Sequence, residues 1–97
     1  MIVKHVGSQV GMSSVTFVVP STIWVEGVHL VGDFNDWDRR AHPLAFSEDS
    51  WHITLELLCG SRFRFRYLLD NAQWCNDRDA DSCIANLLGG YDSVLTV

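Results

Sequence analysis

The sequence predicts an all-β fold, a sandwich of about seven to eight strands. Three observations carry that prediction. Short apolar runs of strand character recur along the chain, clusters of Gly, Pro, Asn and Asp separate them, and no amphipathic helix of ten or more residues can be traced. A chain of 97 residues forms one domain around one core, burying roughly 60–65% of the surface its unfolded form exposes. Short strands wrapped on a single core give a two-layer sandwich.

The first dozen residues, with Gly7, Ser8 and Gly11, read as loosely tethered, so within a single domain over residues 1–97 the sandwich is expected from residue 14 onward. Val15 to Val19 is the first strand signal. Trp24, after Pro20-Ser21-Thr22-Ile23, reads as a sheet-edge residue or as part of a partner surface. Val28 to Val31 is the second strand. In Trp51 to Leu57 the apolar Trp51, Ile53, Leu55 and Leu57 alternate with His52, Thr54 and Glu56, and that phase sends Trp51 into the core. Phe63, Phe65 and Tyr67 alternate with Arg62, Arg64 and Arg66 in the next strand. If these two strands form a hairpin across the loop 58–62, Leu57 pairs with Phe63, Glu56 with Arg64 and Thr54 with Arg66. Asp79 to Leu88 has room for one short turn, which Gly89-Gly90 ends before the last strand, Ser93 to Val97.

Seven Lys and Arg against twelve Asp and Glu give a net charge of −5, the wrong sign for neutralising phosphates, so nucleic acid is not expected as a partner. The apolar runs fall far short of the roughly 20 residues that span a bilayer, and Met1-Ile2-Val3-Lys4-His5 lacks a signal-peptide core. A soluble, cytoplasmic protein with no membrane partner is expected. Cys59, Cys75 and Cys83 are odd in number and lack C-x-x-C spacing, which fits reduced structural thiols.

Asp77, Asp79 and Asp81 echo a calcium loop, but an EF-hand needs Gly and Glu where Ser82 and Leu88 stand. An Asx-rich turn is the better reading. His5, His29, His42 and His52 are scattered without ligand spacing, so no metal and no cofactor is expected. No G-x-S-x-G elbow marks a nucleophile, and 97 residues are too few for a barrel hydrolase of about 250, so the chain is not expected to be an enzyme.

Two tryptophans stand out because they sit in polar loops that follow apolar strands: Trp37 in Gly32-Asp33-Phe34-Asn35-Asp36-Trp37-Asp38 and Trp74 in Asn71-Ala72-Gln73-Trp74-Cys75-Asn76-Asp77. Burial is not the only use of a large flat ring there. The C–H face of a pyranose needs flat apolar surface with donors and acceptors at its edge, and these loops offer both.

Val28 to Trp37, Phe63 to Asp70, Gln73-Trp74 and Leu88 to Val94 together resemble carbohydrate-binding module family 48 over about residues 14–97. This is the early-set, immunoglobulin-like domain at the N-terminus of isoamylases and glycogen-branching enzymes, found also in the β subunit of AMP-activated protein kinase. The resemblance implies a non-catalytic module that binds α-1,4-glucan (glycogen, starch or maltooligosaccharide). It matches Trp37 and Trp74 to two sugar-stacking tryptophans, Arg66 to a basic residue on the long strand, and Leu88 to a leucine that protrudes through the ring of a cyclic glucan. Asp92 stands where the family has a sugar-binding asparagine, and as a carboxylate it accepts hydrogen bonds without donating. Asn71-Ala72 implies a one-residue insertion before Trp74. The alternative from another class is a structural module of the same fold that docks an amylolytic enzyme or another subunit, using Trp24 and the sheet faces.

Overall fold

The computed structural model describes residues 1–20, 24–87 and 89–97. Its strands are β1 (Ile2–Val6), β2 (Met12–Pro20), β3 (Val28–Gly32), β4 (Ala45–Ser47), β5 (Ser50–Leu58), β6 (Arg62–Leu69), β7 (Gln73–Cys75), β8 (Ser82–Ala85) and β9 (Tyr91–Thr96). A 3-10 turn, Asp33–Asn35, follows β3. Two antiparallel sheets result, one ordered β1-β2-β5-β4 and the other β3-β6-β9-β8, with β7 also paired to β6. The all-β sandwich read from the sequence is the fold found; four of the five predicted strands lie within real ones, and the last, Ser93 to Val97, overlaps β9, which starts at Tyr91 and ends at Thr96.

Alternation fixes which residues meet. Val15, Phe17 and Val19 of β2 register with Leu55, Ile53 and Trp51 of β5, so one face of the first sheet is an apolar wall. Facing it, Leu30 of β3, Phe65, Tyr67 and Leu69 of β6 and Leu95 of β9 are buried in the same cluster. Phe17 and Phe65 meet edge to face with ring centroids 5.3 Å apart, the geometry their quadrupoles favour.

The expected hairpin between β5 and β6 is not formed. β5 pairs with β2 and β4, β6 pairs with β3, β7 and β9, and the segment between them crosses from one sheet to the other. Both strands turn their apolar phase inward in either arrangement, so the alternation is the same for a hairpin and for an arch. Backbone bonds from Cys59 N to the Gly11 carbonyl and from Gly60 N to the Val97 carbonyl hold the crossing, and Gly60 sits at φ +86. Thr54 accordingly meets Thr16 with hydroxyls 2.8 Å apart, Glu56 accepts from the Ser8 amide, and Arg64 lies opposite Val94.

Three further expectations are corrected. Residues 2–6 are not loose but pair with β2 along their length. The segment read as a possible turn after Asp79 contains β8, an edge strand too short to show a period. Trp51 points inward yet is only half-buried, its ring 5.0 Å from that of exposed Phe46.

An ion pair closes one edge of the sandwich. Lys4 Nζ of β1 donates to Asp81 at 3.0 Å and to the Thr96 carbonyl at 2.7 Å, while the Thr96 amide donates to Asp81 at 2.7 Å. That amide, and then Lys4, hold the Asp81 carboxyl below its ordinary value of 3.8. A depressed carboxyl stabilises the fold above its unfolded pKa and loses that contribution as pH falls through the folded one. Asp81→Asn is therefore expected to lower the melting temperature slightly at pH 6 and to lose its effect once the pH is well below 3.8, read by thermal scans of both proteins across that range.

Candidate functional site

The loop after β3 owes its shape to six consecutive residues, 32–37. A Cβ on Gly32 would lie 2.5 Å from the Arg64 carbonyl oxygen and 2.8 Å from the Phe65 Cβ, so only glycine lets β3 lie this close to β6. The Asp33 carboxylate accepts the Arg64 amide at 2.7 Å through one oxygen and the Trp37 indole N–H at 2.9 Å through the other. Phe34 packs its ring against Phe17, Phe63 and Phe65. Asn35 accepts from the Gly32 amide and donates to the Leu30 carbonyl, tying the turn to its own strand. Asp36 and Trp37 then take left-handed backbone angles, φ 55 and 59, which swing the indole out of the core.

Trp74 reaches the same face by a different route. Asp70 and Asn71, both at positive φ, make a tight turn that brings β7 back along β6. The pair Leu68–Trp74 puts the second indole over the outer face of the sheet, where Leu68 and Val31 are fully buried. Its ring lies under two guanidinium groups, that of Arg66 at 5.1 Å and that of Arg39 at 5.4 Å from the centroid.

Both tryptophans line one open concavity of about 600 Å3, together with Asp33, Arg64, Arg66 and Asp92. Of the residues singled out in the sequence, Trp37, Trp74, Arg66 and Asp92 meet here, although 55 positions separate the first from the last in the chain. Leu88 lies outside the described residues; its neighbour Leu87 is fully exposed on the wall of this concavity. Asp92 is buried, with Asn86 Nδ2 donating to it at 3.1 Å, so its carboxylate joins Asn86 in a polar wall. A surface of two indoles bordered by guanidinium, carboxylate and amide groups can stack on apolar ring faces and bond hydroxyls at their edge.

Arg39, Asp33, Arg64, Asn86 and Leu87 line the site as well and were not read from the sequence. Asp33 and Asn86 carried no distinguishing signal, because their roles depend on backbone that folds up to them. Asp33→Ala is expected to cost about 1–3 kcal/mol in urea denaturation, since it leaves a strand amide and an indole N–H without their acceptor. Weaker ligand binding should accompany that loss, because the Asp33 carboxylate holds the indole N–H of Trp37.

Asp77 and Tyr67 are engaged with each other, away from this concavity. Asp77 accepts from the Tyr67 hydroxyl at 2.6 Å and from the Asp79 amide at 2.8 Å, the Asx turn expected from the sequence. Burial, and then the Asp77 charge, push the Tyr67 pKa far up, so this phenol stays a donor. A second concavity of about 670 Å3 beside Tyr67 and Asp77 has no tryptophan in its walls. Among the described residues no three His, Cys, Asp or Glu side chains converge as metal ligands, and the three cysteines are free thiols. Trp24 is fully exposed and lines neither concavity.

Residues 7–81 match the family model of carbohydrate-binding module 48, the isoamylase N-terminal domain.

Proposed function

The chain belongs to the carbohydrate-binding module 48 family, and from that premise we propose that its two-tryptophan concavity is a platform for α-1,4-linked glucan, in a module without catalytic activity of its own. The ligand is glycogen, starch or a maltooligosaccharide. Trp37 and Trp74 stack on successive glucose rings, Arg66 donates to hydroxyls at the platform edge and Asp92 accepts from them, while Leu88 is assigned a sugar contact by the family resemblance alone.

One observation carries this reading: two half-buried indoles from loops far apart in the chain share a single open surface with polar side chains around it. An indole that served only packing would be covered, and a neutral hydrated ligand needs this mixture of flat apolar area and edge hydrogen bonding. Enclosure is slight, so the dissociation constant for a long glucan should fall between roughly 1 μM and 1 mM. For a neutral glucan it should change little with salt.

Electrophoresis through a native gel containing glycogen tests the proposal: retarded migration, relieved by free maltoheptaose, is the expected result. The rival reading, a docking module for an amylolytic enzyme or another subunit, draws on the fully exposed Trp24 outside the concavity. Unretarded migration, with tryptophan fluorescence that ignores millimolar β-cyclodextrin, would favour it over the sugar platform.

A further inference from the structure

The charge of the concavity runs against that of the protein. Three of the seven Lys and Arg line it, namely Arg39, Arg64 and Arg66, but only two of the twelve Asp and Glu, Asp33 and Asp92. Among the described residues none of these three guanidinium groups has a carboxylate within 4.0 Å, and none donates a side-chain hydrogen bond to the protein. The two carboxylates at hand are engaged otherwise: Asp33 accepts the Arg64 amide and the Trp37 indole N–H, and Asp92 accepts from Asn86. Arg66 Nε is buried without a hydrogen-bond partner. Arg39 and Arg66 both lie over the Trp74 ring, which puts two guanidinium groups at the tryptophan platform itself.

A neutral glucan does not need this much positive charge. Hydroxyl groups are served as well by amides, and three arginines without a carboxylate partner leave this concavity positive in an otherwise acidic chain. A phosphate monoester suits them better. It carries a charge of about −1.5 to −2 at neutral pH and offers three acceptor oxygens, and the planar fork of arginine matches its geometry. We propose that the preferred ligand is an α-glucan bearing a phosphate ester on a glucose hydroxyl, with the sugar on Trp37 and Trp74 and the phosphate among Arg39, Arg64 and Arg66. This inference rests on the glucan platform described above and adds to it the substituent that the platform selects.

Titration calorimetry with maltoheptaose, with maltoheptaose carrying one 6-phosphate, and with inorganic phosphate alone tests it. The phosphorylated oligosaccharide is expected to bind about tenfold more tightly than the neutral one in about 20 mM NaCl, the gain of one charge-assisted contact. That preference should shrink in about 500 mM NaCl, where exposed charges are screened within a few ångströms. The double variant Arg39→Gln/Arg64→Gln should bring the ratio of the two affinities close to one. Both residues are exposed, so the variant is expected to keep its melting temperature. Equal affinity for the two oligosaccharides would overturn the phosphate inference and leave the neutral platform standing. Binding of neither would sink both. A preference that survives the double variant and high salt would overturn it as well, as would inorganic phosphate binding as tightly as the phosphorylated sugar, because the ligand would then not be a glucan.

Discussion

Trp74→Ala is expected to weaken binding to glycogen or maltoheptaose by about ten- to thirtyfold while leaving a cooperative unfolding transition. One face of an indole contributes roughly a third of the 150–250 Å2 that such a ring can bury, and about 25 cal/mol per Å2 makes that about 1.3–2 kcal/mol. The variant also removes the surface on which Arg39 and Arg66 rest, so the edge contacts lose their alignment along with the stacking. Trp37→Ala should be of similar size in affinity. Because Trp37 and Trp74 are both half-buried on the outside of the second sheet, neither change opens the core. Calorimetric titration of the two variants, beside their melting curves, separates loss of the platform from loss of the fold. Affinity within threefold of the wild type for both variants would rule out the stacking assignment.

The largest expected loss of stability belongs to Phe65→Ala. Phe65 is fully buried in the centre of β6, with ring centroids 5.3 Å from Phe17 and 5.7 Å from Tyr67. Removing a buried phenylalanine ring costs about 3–5 kcal/mol, which is a large part of the 5–15 kcal/mol that holds a small domain together. For a chain of this length it should lower the melting temperature by more than about 12 °C. Trp51→Ala should cost less, about 2–3 kcal/mol, since that indole is half-buried and shares its outer side with exposed Phe46. Urea denaturation of the two variants in parallel checks the order, and a Trp51 loss equal to that of Phe65 would contradict the burial argument.

The strands were legible because each long one alternates: Trp51 to Leu57 and Phe63 to Leu69 show their inward phase in the bare sequence. Their partners were not legible. A hairpin and an arch between sheets bury the same residues, so the strands beside which Thr54 and Arg66 find neighbours are β2 and β3, which lie far away in the chain. β4, β7 and β8 escaped for another reason, since three or four residues cannot display a period. At the candidate site Trp37 and Trp74 were visible as large rings among polar neighbours. Arg39 and Asn86 were not, because an arginine on a ring and an amide beside a carboxylate look like any loop residue until the loops are folded. Gly32 illustrates the difference: its place in the motif was plain, whereas its reason, the Arg64 carbonyl at 2.5 Å from a would-be Cβ, exists only between two strands.

The crossing between β5 and β6 has a kinetic meaning. With no local hairpin there, the long strands must find remote partners: Pro20 meets Ser50 and Met12 meets Leu58, so the central pairing of the first sheet closes loops of about 30 to 46 residues before it yields any packing. Chains that must search this way fold in milliseconds to seconds rather than microseconds. The pairing of β2 with β5 builds the wall against which β6 packs through the contact of Phe17 with Phe65, so the arginine-bearing strand that carries the platform gains its support only from these remote pairings.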